Sequence, residues 1–397
     1  MKTNIGVFFG GRSVEHEISV ISALQAINAF DKEKYNVVPI YITKEGKWLT
    51  GEALLNIRNY KDLKTLPEKA EEVYMRPEFQ NYNLYRSDTK GGFLKKKEPV
   101  VCELHAVIPV LHGSHGEDGM FEGLLETIGI PFAGCDTLSS ANGMDKITMK
   151  MILRENGLPV VDYVWFTDKE WDNDRNKIIS RIEDKLGYPV IVKPANLGSS
   201  VGIGKASDKE SLIRKIDEAV RFSSRIIVED MIEDMMEINC SVLGDADQHQ
   251  SSVCEEPISS GDFLSYNEKY GGGEKAGMQS AKKRIPADIP EDMAKEIQQL
   301  AGETFRVLSC HGVSRIDVMI DRHDNKIYVN EINTIPGSLS YYLWEETGIP
   351  FTKLMDKLVE LAFKRKRETD RKTFTYDANI FSLGGGAKNG SKRGFIK

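Results

Sequence analysis

Residues 314–337 read SRIDVMIDRHDNKIYVNEINTIPG. From Ser314 to Ile320, and again from Ile327 to Ile332, polar and apolar residues alternate with the period of a strand that buries one face. That period sets Arg315 and Asp317 on one face of the first strand, and Glu331 and Asn333 on one face of the second. The turn-like stretch Asp321 to Asn325 lets the two strands pair antiparallel, so three oxygen-bearing side chains and one arginine converge. Carboxylate and amide oxygens are hard ligands, suited to Mg²⁺ that also holds substrate phosphates. Arg-x-Asp alternation alone describes a solvated sheet face with ordinary salt bridges. The Asn-x-x-Pro-Gly run that ends at Gly337 favours a metal site.

Further upstream, Val190-Ile-Val-Lys-Pro-Ala-Asn-Leu-Gly-Ser-Ser-Val-Gly202 is a strand ending in Lys193, followed by a Gly-Ser-Ser loop that includes Ser199 and Ser200. Backbone N–H groups in such a loop can cradle phosphate oxygens while a lysine offsets their charge. The plainer reading is a tight turn beside a surface lysine. The stretch Ser199 to Ala206 also approaches a P-loop, but it lacks the first glycine and ends in alanine where Ser or Thr should hold Mg²⁺.

Weaker elements point the same way. Met144-Asp-Lys146 opens a helix from which a second lysine can reach phosphates. Val228-Glu229 followed by Asp230-Met-Ile232 reads as a strand-to-linker hinge that offers backbone groups to an adenine edge. Tyr266-Asn-Glu-Lys269-Tyr270 followed by three glycines has the composition of a lid, with Lys269 closing on a γ-phosphate; a plain surface loop has the same composition. Gly10 to Glu17 leaves a strand and opens a helix, which suits a small anion or zwitterion. It is not GxGxxG, which argues against a nicotinamide cofactor. His112 and His115 flank glycines in a loop with no evident third zinc ligand.

Strand and helix signals alternate through the first third: a strand at Ile5–Phe9, a helical face at Val14, Ile18, Ile21, Leu24 and Ile27, and strands at Val37–Ile42 and Val107–Leu111. This predicts an α/β layer with a parallel sheet and ligand groups at the strands' carboxyl ends. Residues 51–99 are polar and weakly periodic, and no element is assigned there. The pattern restarts with a helix at Lys146–Asn156, the strand into Lys193, and a strand at Val201–Lys205. Strands at Ile226–Glu229 and Ile238–Leu243, a helix at Pro290–Leu308 and a last helix at Lys353–Lys364 complete the pattern.

At 397 residues the chain is long for one core, so two or three domains are expected. Its net charge of −7 argues against binding nucleic acid through a phosphate backbone. The five cysteines are scattered, with no CxxC pair, as in a reduced cytoplasmic protein. No apolar run approaches the roughly 18 residues of a membrane helix, and the stretch Met1 to Gly11 reads as a strand entering a turn, not as a signal peptide.

Taken in order, the segments GGRSVEHEIS, HGSHGEDG, GCDTLSSANGMDK, VKPANLGSSVG, SYNEKY, SRIDV and NEINTIPG resemble the ATP-grasp ligases, and the D-alanine–D-alanine ligase family in particular. They span residues 10–337. The resemblance implies a mixed α/β, three-part ATP-grasp fold: a Rossmann-like domain at 1–138, a central part at 139–225, and a C-terminal part at 226–365 with a lid at 262–279. A flexible tail would follow at 366–397.

It also implies ligation of two D-alanines through a D-alanyl phosphate for cell-wall precursor synthesis, with ATP and two Mg²⁺ (or Mn²⁺), and is compatible with a homodimer. By the same resemblance Glu15 would bind the first ammonium, in a hydrogen-bonded group with Ser199 and Tyr270. Lys146, Lys193, Ser200 and Lys269 would meet ATP phosphates, Glu229, Asp230 and Ile232 the adenine, and Glu237 the ribose. Asp317, Glu331 and Asn333 would hold the metals, and Arg315 with the Gly337 N–H would stabilise the tetrahedral oxyanion. Three departures stand out. The hinge from Glu229 to Glu237 is one residue longer than the family pattern, Tyr341 to Trp344 differ from the segment that selects the second substrate, and the tail after Arg367 lies outside the family's core. A D-alanine–D-X ligase, using D-serine or another amino or hydroxy acid, is the alternative expectation.

Overall fold

The computed structural model describes residues 2–87, 99–198, 201–258 and 283–376. β1 (Thr3–Gly10), α1 (His16–Ala29), β2 (Tyr35–Ile42) and β3 (Trp48–Thr50) open the chain; β4 (Glu71–Met75), β5 (Asn83–Arg86), β6 (Val100–Glu103) and β7 (Ala106–Val110) follow. They form a seven-stranded sheet ordered β6-β5-β4-β3-β2-β1-β7. Only β2, β1 and β7 run parallel, as the strand–helix alternation predicts. β3 to β6 continue from β2 as an antiparallel meander. The departure begins at the tight turn from Thr43 to Lys47, too short for the crossover that parallel pairing requires, and 3₁₀ turns at Glu52–Leu55, Ile57–Lys61 and Leu66–Lys69 then link β3 to β4.

α1 is buried almost all round, which is why Ser19, Ser22, Ala23 and Ala26 alternate with its larger apolar residues. Small side chains let neighbours approach it on both sides.

After α2 (Met120–Ile128) and α3 (Thr137–Met144) comes α4 (Lys146–Glu155). Asp145 caps α4 by accepting the Thr148 N–H at 2.8 Å, and it also pairs with Arg225 at 2.9 Å. The cap makes Lys146 the first helical residue and aims it at the cleft. The central layer consists of β8 (Tyr163–Thr167), α5 (Asp168–Asn173), α6 (Arg175–Lys185), β9 (Val190–Pro194), β10 (Gly204–Ala206), α7 (Lys209–Ala219) and β11 (Arg225–Asp230). Its antiparallel sheet is ordered β10-β9-β11-β8. β10 is shorter and later than the expected strand at 201–205. One face of this sheet packs Val190, Val192, Ile226 and Val228 against α6 and α7. The other face carries Lys193, Ile227 and Glu229.

The last sheet, β14-β13-β12-β15-β16, is antiparallel throughout. It contains β12 (Met235–Gly244), β13 (His249–Pro257), β14 (Lys283–Arg284), β15 (Gly312–Asp321) and β16 (Ile327–Asn333). α8 (Glu291–Val307) covers its back with Ile297, Ala301 and Phe305. α9 (Tyr341–Glu346) and α10 (Phe351–Thr369) close the chain. α10 runs past the expected end at Lys364, and its Leu354, Met355 and Leu358 join one core with β1 and α1. The C-terminal segment is thus packed into the N-terminal domain's core, which holds the turn after β16 against α1.

Candidate active site

Cross-strand register assembles the site's floor. Asp317 faces Glu331 on one side and Asn239 on the other, while Arg315 faces Asn333 and Ser241. Directly opposed antiparallel residues share a face, so the expected convergence of Arg315, Asp317, Glu331 and Asn333 is present. Arg315 grips Asp317 with two bonds of 2.7 Å, Nε to Oδ1 and Nη2 to Oδ2, and the Asn333 amide donates to Asp317 Oδ2 at 3.0 Å. Asp317 is buried and the Arg315 side chain is only 11% exposed, so their bonds are largely shielded from water.

Lys146 and Lys193 connect the upper sheet to this floor. Lys146 Nζ lies 3.2 Å from Glu331 Oε2 and donates to the Leu197 carbonyl at 2.9 Å. Lys193 Nζ lies 2.7 Å from Glu229 Oε2 and 3.1 Å from Asn330 Oδ1. Lys150, one helical turn beyond Lys146 and fully buried, lies 3.2 Å from the other Glu229 oxygen. Burial pushes the Glu229 carboxyl up, but Lys150 and Lys193 outweigh it and hold the group at about 2. The Glu229 side chain is therefore committed to two lysines, a role the hinge reading missed. Lys150 was legible in principle, because i and i+4 share a helix face.

At the carboxyl ends of β1 and β7 sit Glu15 and a second carboxylate, Glu117. Gly113 lies against Glu15: a Cβ there would fall 2.5 Å from Glu15 Oε2, and φ is +70° besides, so the position requires glycine. Gly198 flanks the same carboxylate from the central layer, where a Cβ would fall 3.4 Å from Oε2. Glu117 accepts the Gly113 N–H at 2.8 Å and the Ile335 N–H at 3.0 Å. Burial and the charge of Glu15 together raise its pKa to about 8. The sequence reading passed over Glu117, because nothing in the run HGSHGEDG distinguishes a buried acid from a loop acid.

His112 completes this junction. Its Nδ1 is 2.9 Å from the Ile335 carbonyl, and its Nε2 is 2.9 Å from Ser22 Oγ, which accepts the Ser338 N–H at 2.9 Å. Nδ1 must carry the proton to donate to a carbonyl, so Nε2 accepts from the Ser22 hydroxyl. Burial lowers the His112 pKa to about 4, which keeps the ring neutral. The turn it anchors is strained: Ser338, Leu339 and Ser340 all have positive φ, between 50° and 53°.

A cleft lined by Glu15, Glu117, Lys146, Gly198, Glu331 and Asn333 joins these parts. Gly337 begins the turn beside it. Asp230 and Ile232 follow Glu229 at the end of β11, and Glu237 lies on β12 on the same face as Asn239. Ser199, Ser200, Lys269 and Tyr270 lie outside the described residues. Among the described residues no three His, Cys, Asp or Glu side chains form a metal cluster. The donor set here is two carboxylates and the amide of Asn333, all hard oxygen ligands, which fits a divalent cation of the Mg²⁺ type.

The chain matches the model described as "D-ala D-ala ligase N-terminus" over residues 4–135 and that described as "D-ala D-ala ligase C-terminus" over residues 152–360. The D-alanine–D-alanine ligase of Thermosipho africanus is 41% identical over 380 residues, covering 96% of this chain and 98% of that protein. The D-alanine–D-alanine ligase structure from Coxiella burnetii superposes with a TM-score of 0.77 at 29% identity, covering 93% of this chain and 96% of that one. The VanG D-Ala:D-Ser ligase from Enterococcus faecalis also gives 0.77, at 32% identity, covering 91% of this chain and all of that one. A Bacillus anthracis D-alanine–D-alanine ligase solved with ATP gives 0.64 at 26% identity, covering 92% and 99%. On this evidence the chain belongs to the D-alanine–D-alanine ligase family of ATP-dependent ligases.

Proposed function

We propose that this protein joins two D-alanines, using ATP, to give D-alanyl-D-alanine for cell-wall precursor synthesis in the cytoplasm. The observation that carries the reading is the cleft lined by Glu15, Lys146, Glu331 and Asn333, with Asp317 bound to Asn333 and Arg315 bound to Asp317 behind it.

A carboxylate is a poor acyl donor. Its oxygen first takes the γ-phosphoryl group of ATP, releasing ADP and leaving D-alanyl phosphate. Lys146 and Lys193 are placed to offset the phosphate charge, and Glu229, held ionised, keeps two lysine ammoniums in position. The second amino acid's amine, once deprotonated, attacks the acyl carbon. The oxyanion that forms needs donors, and Arg315 retains N–H groups beyond the two bound to Asp317. Collapse expels phosphate and leaves the peptide bond. Glu15, buried beside Gly113 and Gly198, suits the first substrate's ammonium. Asp317, Glu331 and Asn333 would hold two Mg²⁺ (or Mn²⁺), which supply charge neutralisation on the phosphates.

ADP release with Mg-ATP and D-alanine, with mass analysis of the product, tests the reading. Dipeptide supports it, and no ADP with D-alanine overturns it as stated. The departure at Tyr341 to Trp344 motivates the alternative of D-serine or another acceptor, and ADP release only with that acceptor would establish it. The homodimer implied by the family is tested by light scattering of the purified chain.

A further inference from the structure

Lys150 is a buried lysine that the phosphate chemistry above does not use. α4 packs Ile147 against Ala195 and Ile227, and Lys150 is the next residue along that helix face. Its side chain is fully buried, with Nζ 3.2 Å from Glu229 Oε1. Lys193 holds the other oxygen at 2.7 Å and reaches Asn330 on β16 at 3.1 Å. Lys193 thus stands where the central sheet meets the last one, and Lys150 is sealed away on the carboxylate's second oxygen.

One buried carboxylate is neutralised by one lysine. A second ammonium is costly to bury, and here Lys193 and Lys146 both repel it. Two ammoniums share one carboxylate, so the three groups together keep a single positive charge. Without Lys150 the pair of Lys193 and Glu229 would be neutral overall and a weak attractor of anions. With it, Glu229 divides its charge between two partners, and Lys193 presents a net positive field in a place shielded from water. A nucleotide's phosphates gain from that field, whereas its uncharged base and sugar do not.

Resting on the ligase reading above, we propose that Lys150 is a positioning residue of the ATP site. It occupies one oxygen of Glu229, leaves Lys193 with the charge that holds the phosphates, and never touches the nucleotide. The affinity it supplies is for phosphate charge and not for the adenosine part.

The test uses the full-length protein and compares the binding of Mg-ATP with that of adenosine, beside steady-state KM values for D-alanine. Lys150→Met is expected to weaken ATP about tenfold while adenosine binding and the D-alanine KM values stay within about twofold. Lys150→Arg keeps the charge and is expected to retain ATP binding within about threefold. Lys150→Gln keeps a donor for Glu229 without the charge, and carries the test should Lys150→Met not fold. Equal weakening of ATP and adenosine would mean that Lys150 only shapes the pocket, and overturns the proposal while dipeptide synthesis stands. Unchanged ATP binding in a folded uncharged variant overturns it as well, as does failure of both uncharged variants to fold. Wild type that neither binds ATP nor releases ADP with any acceptor overturns the ligase reading and this proposal together.

Discussion

The ammonium of Lys146, at the start of α4, lies 3.2 Å from the carboxylate of Glu331 on β16. The bond ties the start of α4 to the last sheet at the cleft, so the expected phosphate lysine and metal carboxylate share one location. Glu331→Gln keeps the strand and the shape but removes the charge. Turnover is expected to fall by about 100-fold or more, with little change in melting temperature. Steady-state ADP release beside a thermal melt checks this; near-wild-type turnover removes Glu331 from the metal assignment.

Glu229 holds two buried lysines, so its loss leaves two positive charges uncompensated. Glu229→Gln is expected to cost about 3–5 kcal/mol of stability, measured by urea unfolding. The sign of the pH effect follows from the depressed pKa of about 2. The stabilisation from Glu229 is fully present above the ordinary glutamate range and is lost as pH falls through 4 towards 2. Acid titration of wild type should therefore show a loss in that window that the variant lacks.

Glu117 behaves oppositely. Its pKa of about 8 means that the folded protein binds a proton there which the unfolded chain releases near 4.5. Its contribution is full below the unfolded value and fades as pH rises through 8. Glu117→Gln should flatten the decline in melting temperature between about pH 4.5 and pH 8, the interval between the unfolded and folded values. The same variant should lose about 1–3 kcal/mol at pH 6, because Gly113 and Ile335 both donate to this side chain and one of them would meet an amide N–H. A parallel pH dependence in the two proteins would refute the assignment.

Ser340 combines a positive φ of 50° with a buried hydroxyl that lacks a partner among the described residues. Glycine relieves both, against about 0.5–1 kcal/mol of added unfolded-state freedom. Ser340→Gly is expected to stabilise the protein by about 1 kcal/mol, read from denaturant midpoints. A destabilised variant would mean that the hydroxyl has a partner beyond the described residues.

The sequence was most legible where periodicity and chemistry coincide. The alternation of Ser314 to Ile320 and Ile327 to Ile332 produces the hairpin and its one-sided cluster, because a strand's side-chain period is two whatever surrounds it. The same holds for the lysine at the end of β9 and the first residue of α4, where a local cap decides direction. Residues 51–99 resisted reading because their short strands and 3₁₀ turns are stabilised by pairing along a sheet edge, and not by any periodicity of their own.

Local pattern alone determined the parallel strands β1, β2 and β7, the hairpin of β15 and β16, the helix at α4 and the residue types able to hold phosphate and metal. Only the tertiary structure decided which groups would meet. Glu117 becomes a high-pKa acid because folding buries it beside Glu15, and Glu229 becomes a low-pKa one because folding sets Lys150 and Lys193 against it. Both are glutamates with the same intrinsic acidity. Desolvation and neighbouring charge separate them, and those quantities exist only once residues distant in sequence share one buried space.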